Sequence, residues 1–327
     1  MREIVEDRRL NLVKLRLSML GTLAVIIGVS TLGLATLLAY TGGLNVYSLA
    51  TTVIIFNAAQ WLLAPYLVNA LYKVRRLDPA ENPGLHSTFE DLSVRSGIQT
   101  PKLMISGMAI PNAFAYGSPL TGNHVAITEG LLMSLEGEEV EAVLAHELGH
   151  IKHRDVQVTM LISVLPSLFY ILARSTMFAR YGRRDRRDGG GLAAVGSLSM
   201  LLYFGLMLFN LGFSRLREYY ADQHASGIVS DGARKLSEGL AKITTSTARH
   251  RMFTPGTRGL SSFKTIFISD PDMAAKGAAE LNGANLWGSD EELVARIASR
   301  RITGMARFSE LFSTHPNIVK RIRALKG

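Results

Sequence analysis

Residues 138–155 read EEVEAVLAHELGHIKHRD. Val140, Val143, Leu144, Leu148 and Ile151 recur at helical spacing, which predicts one amphipathic helix with a buried stripe. Glutamates at its start and Lys152, His153 and Arg154 at its end suit the helix dipole. In that frame His146 and His150 leave the same face on successive turns. Their imidazoles can converge on one zinc ion at about 2.0–2.1 Å. Glu147, beside the first of them, can take a proton from metal-bound water. The bland alternative is a surface helix with two solvated histidines. The apolar stripe and the small Gly149 beside the second histidine argue against it.

Composition narrows the chemistry. The 327 residues include no cysteine, so disulfides, thiolate nucleophiles and thiolate-built metal sites are excluded. Any metal must be held by histidine and carboxylate, a donor set with an open position that suits zinc best. The chain is 47% hydrophobic and only 19% charged, which rules out a disordered or solvating polymer. Its net charge of +9 raises anionic lipid or nucleic acid as partners.

A catalytic zinc usually has three protein ligands. His153 is not the third, because it lies about 10.5 Å further along the helix axis than His146 at 1.5 Å per residue. A metzincin pattern is also missing. Ser214-Arg215-Leu216-Arg217-Glu218-Tyr219-Tyr220-Ala221-Asp222 offers two carboxylates four residues apart. On a helix both share a face, so one could bind metal while the other accepts a proton from a ligand histidine. Spacing alone equally allows an ordinary helix of ion pairs with Arg215 and Arg217.

The apolar residues are gathered into runs. Leu17–Tyr72 contains no Asp, Glu, Lys, Arg or His. A membrane helix needs about 20 apolar residues, so two spans are expected, near 17–40 and 46–71, with Thr41, Gly42, Gly43 and Asn45 in the turn. Two such runs are too long for a cleaved signal peptide. Val156–Ala173 and Leu192–Phe213 form a second apolar pair around an arginine-rich loop. Basic residues at the N-terminus and at Lys73, Arg75 and Arg76 point to a cytosolic 73–155 segment, whereas the arginines of the later loop disagree. Four regions follow: 1–72 with two spans, 73–155, the hydrophobic hairpin 156–213, and 214–327.

HExxH, a hydrophobic hairpin and then SRLREYYAD together resemble the HtpX-type membrane zinc metalloendopeptidases. Pro111-Asn112-Ala113-Phe114-Ala115-Tyr116-Gly117 resembles that family's substrate-binding edge strand, and Ser313-Thr314-His315-Pro316 with Arg321 resembles its C-terminal motif. The resemblance implies one zinc held by His146, His150 and Glu218, with Glu147 as general base and acid. It implies Asp222 as partner to a ligand histidine, His315 near the developing oxyanion, and Arg321 helping to hold the site together. Asn112, Ala113, Phe114 and Ala115 would bind substrate. The substrates it implies are misfolded or damaged membrane proteins.

Lys102–Ser106, Asn112–Tyr116 and His124–Thr128 are expected to be strands of a small antiparallel sheet, with turns at Gly107 and Ser118–Gly122. An exposed edge could pair with an extended peptide. The expected architecture is α+β and mainly helical: a multi-span anchor carrying a discontinuous, zincin-like cytosolic peptidase domain. The bilayer and protein substrates are the expected partners. The basic excess of 214–327 is spread out, which fits anionic lipid better than nucleic acid. A maturation protease resembling the CAAX prenyl endopeptidases, with more spans, and a catalytically silent zinc-holding scaffold are the alternatives.

Overall fold

A computed structural model describes residues 46–182, 189–253 and 289–327. The expected span near 17–40 and the turn after it lie outside the described residues. The chain divides into two compact units. One comprises Met1–Leu62 with Gln157–Leu216, the other Leu63–Val156 with Arg217–Gly327.

The first unit is helical where it is described. Helix α1 (Val46–Leu71) carries Pro65 inside it and belongs to this unit as far as Leu62. Helices α5 (Asp155–Gly182) and α6 (Gly189–Ile228) supply a core of Ile162, Phe169, Leu172, Val195, Leu206 and Phe213. Asp155–Arg174 and Ala193–Ile228 are each long and apolar enough to cross a membrane. Leu201 and Phe204 on α6 are exposed, as a lipid-facing or partner-facing surface would be.

The second unit is built on a four-stranded sheet. Its strands are β1 (Val74–Arg76), β2 (Lys102–Ser106), β3 (Ala113–Ser118) and β4 (Gly122–Thr128), in the order β1-β2-β4-β3. The expected antiparallel sheet is corrected here to a mixed one. β3 and β4 form the antiparallel hairpin, and β1 is antiparallel to β2, but β2 runs parallel to β4. The reason is the segment 107–112. It carries the chain from β2 past the position of β4, so the hairpin returns β4 beside β2 in the same direction. β3 is left at the sheet edge.

Alternation along the strands separates two faces. Leu103, Ile105, Ala113, Val125 and Ile127 enter the main core, while Met104, Phe114, Tyr116 and Ala126 pack with Tyr72 on the other side. The main core also takes α2 (Pro83–Ser96), through Phe89 and Leu92, and α4 (Gly137–Lys152), through Val140, Val143, Leu144 and Leu148. The short α3 (Glu129–Ser134) joins β4 to α4. Glu136 and Glu139 form a capping box that starts α4, satisfying backbone N–H groups at its first turn. Helix α7 (Gly232–Phe253) lies against α4 and receives α8 (Asp290–Ser299) and α10 (Ile318–Lys326) on Ala241. Ser289 caps α8, its Oγ accepting from the Glu292 N–H at 3.3 Å. Helix α9 (Gly304–Glu310) precedes α10.

Gly149 sets how closely α4 approaches the later part of α6. A Cβ there would stand 3.2 Å from Ala221 Cα and from His224 Cβ and Cδ2. Alanine would gain about 1 kcal/mol of helix propensity, but overpacking against a fixed backbone costs about 1–3 kcal/mol. Gly149→Ala is therefore expected to lower the melting temperature, measured by thermal unfolding in detergent. An unchanged or higher value would mean that the contact has slack.

Candidate metal centre

Helix α4 presents His146 and His150 on one face, with their Nε2 atoms 3.1 Å apart. Glu218 comes from α6, with Oε2 3.7 Å from His146 Nε2 and Oε1 3.6 Å from His150 Nε2. These three side chains offer ligand atoms that all lie within 4.8 Å of one another. Ligands about 2.1 Å from a tetrahedral ion stand about 3.4 Å apart, so the donor set fits a zinc-sized cation. His146, Glu147 and Glu218 are buried.

The outer nitrogens of both histidines face carboxylates. His146 Nδ1 lies 2.9 Å from Asp222 Oδ1, and His150 Nδ1 donates to Asp155 Oδ2 at 2.6 Å. Such partners fix ring orientation and turn each Nε2 toward the shared point. Arg321 then closes the back of the site. Its Nε and Nη2 donate to Asp222 at 2.9 and 2.5 Å, and its Nη1 lies 3.2 Å from Glu218 Oε2. Burial alone would lower the Arg321 pKa, but Asp222 and Glu218 outweigh it and raise it. His315 Nδ1 stands 3.2 Å from Glu218 Oε2.

Spacing leaves open which carboxylate faces the histidine ring nitrogens that a metal would use. Glu218 does so, and Asp222 sits behind His146. His153 caps the end of α4 and packs edge-on against Tyr220, with ring centroids 4.0 Å apart, away from the three-ligand group. Ala113, Phe114 and Ala115 lie on the edge strand β3, which packs beside α4. Asn112 precedes the strand, and its backbone N–H donates to Thr128 Oγ1 at 2.9 Å.

Asp155 is a site residue that spacing does not reveal. A continuous helix would carry it off the face of His150, since five residues turn about 140° past a full circle at 100° each. The chain instead leaves α4 at His153 and turns through Arg154, whose φ is 55°. That turn brings the Asp155 carboxylate back to His150. Arg217 holds it there, donating to the Asp155 carbonyl at 2.9 Å.

A model of peptidase family M48 matches residues 79–327. The chain belongs to peptidase family M48. It is thus a metallopeptidase, and proteins are its substrates. A "Protease HtpX homolog" of Aeropyrum pernix is 36% identical over 314 residues, covering 94% of each chain. One from Thermoplasma acidophilum is 32% identical over 330 residues, covering 97% of this chain and 98% of the relative. The resemblance to HtpX-type proteases therefore extends over nearly the full length. The crystal structure of S. mikatae Ste24p superposes with a TM-score of 0.52 at 18% identity, covering 96% of this chain and 67% of that one, which is a likeness of fold.

In this M48 peptidase the metal-free His150 is a cation at neutral pH. Burial lowers its pKa, but Asp155 and Glu218 outweigh burial and raise it to about 9. Metal uptake must displace that proton, so affinity is expected to rise about tenfold per pH unit up to about pH 9. Asp155→Asn should lower metal affinity by about 10–100-fold and move this pH dependence downward. Competition with a chromogenic chelator across pH measures both. Unchanged affinity in the variant would remove Asp155 from the metal's support.

Proposed function

We propose that this M48 peptidase is a membrane-bound, zinc-dependent endopeptidase that hydrolyses peptide bonds in misfolded or damaged membrane proteins. The observation that carries the reading is the convergence of His146, His150 and Glu218, with Glu147 buried beside the two histidines on α4. Zinc, when bound, lowers the pKa of water and polarises a peptide carbonyl. Glu147 accepts the proton and returns it to the leaving amine. His315 donates to the carbonyl oxygen as negative charge develops there. Asp222 orients His146, and Arg321 offsets the charge of Asp222 behind that ligand and of the ligand Glu218 itself.

Ala113–Ala115 on the edge strand would bind an extended segment through backbone hydrogen bonds, with Asn112 at the start of that edge. Backbone pairing favours unfolded or flexible stretches over a strict sequence. The two long apolar helices, with the apolar α1, support a multi-pass membrane location, and the charge bias supports a peptidase unit facing the cytoplasm.

The test is cleavage of an unfolded protein by the purified full chain in detergent. Chelation is expected to abolish cleavage, and stoichiometric zinc to restore it, with one zinc per chain by elemental analysis. Cleavage that persists in chelated, zinc-free protein would overturn the reading.

A further inference from the structure

Helix α9 and the turn after it expose four large apolar side chains. Met305, Phe308, Leu311 and Phe312 are between 48% and 73% exposed. Adjacent large apolar side chains left in water mark an interaction surface. Beside them is a cavity of about 520 Å³ lined by Arg301, Ile302, Thr303, Arg307 and Arg323. Among the described residues no carboxylate lines it. Glu310 is the one acidic residue between 293 and 327, and it is occupied by Lys320 at 2.5 Å.

We infer that this surface docks on a bilayer containing acidic phospholipids, with lipid phosphates at Arg301 and Arg307 and the apolar side chains at the acyl boundary, while Arg323 donates to the carbonyls of Ala298 and Arg300. Arginine beside exposed aromatic and aliphatic side chains is the chemistry of an interfacial membrane contact. Nucleic acid fits less well. Phe308 and Phe312 meet edge-on with centroids 5.4 Å apart, so the edge of one ring is turned to the face of the other and the two do not offer parallel platforms for successive bases. The inference adds a second membrane contact to the proposed function and rests on that reading for the presence of a bilayer.

The chain has no cysteine, so one introduced thiol can be labelled cleanly. Full-length Met305→Cys and, as a control, Gln99→Cys would carry an environment-sensitive fluorophore. Each is placed in nanodiscs of phosphatidylcholine alone or mixed with phosphatidylglycerol. In the acidic nanodiscs the probe at 305 is expected to shift to the blue and to be quenched by nitroxide lipids, while the probe at 99 is quenched by iodide. Arg301→Ala and Arg307→Ala should each lower the ratio of docked to free probe about fivefold. A probe at 305 open to iodide, or shielded from both quenchers as a protein cover would leave it, overturns the inference. Cleavage of an unfolded protein is followed in the same samples. A chain that enters the nanodisc and cleaves but keeps position 305 in water refutes this contact alone. A chain that does not enter it refutes the membrane reading and this contact together.

Discussion

Glu147→Gln is expected to lower peptide hydrolysis by about 10²–10⁴-fold while leaving the metal content at one ion per chain. Glutamine keeps the shape of the side chain, so the buried position on α4 remains filled. It cannot accept and return a proton. Metal binding should survive because the converging ligand atoms come from His146, His150 and Glu218. Wild type and variant would be compared for cleavage of an unfolded protein, with zinc measured in both. Undiminished cleavage by the zinc-loaded variant would assign the proton transfer to another group. Loss of zinc together with activity would instead give Glu147 a structural part in the site.

What is legible in the sequence is mostly local. Histidines at helical spacing within an apolar stripe are enough to place two imidazoles on one face, and the structure keeps that arrangement. Glu218 and Asp222 are legible as a pair. Their division of labour is not, because it depends on how the later part of α6 lies against Gly149 of α4. Asp155 is hidden by the left-handed turn at Arg154, which no helical period anticipates. The parallel pairing of β2 with β4 is hidden for a related reason. Strand pattern shows which residues alternate between faces, but the partner of a strand depends on where an irregular loop carries the chain.

Arg321→Met is expected to destabilise the protein by about 3–5 kcal/mol, the cost of leaving buried charge uncompensated. Arg321 is 1% exposed, and Asp222 and Glu218 are each 3% exposed, so water cannot take over the role of the guanidinium. Removing it leaves two buried carboxylates facing each other's field. Saturating zinc should recover part of the loss, because a ligand that binds only the folded state stabilises it by mass action and its charge offsets Glu218. Arg321→Lys keeps the charge without the fork that reaches both carboxylates, so it should fall between wild type and methionine. Thermal unfolding of the three proteins, with zinc and with chelator, measures the series. Methionine melting at the wild-type temperature under chelation would show that the two carboxylates do not depend on Arg321. The charges of Asp222 and Glu218 would then have to be neutralised in another way, by protonation of a carboxyl or by the imidazolium of His150.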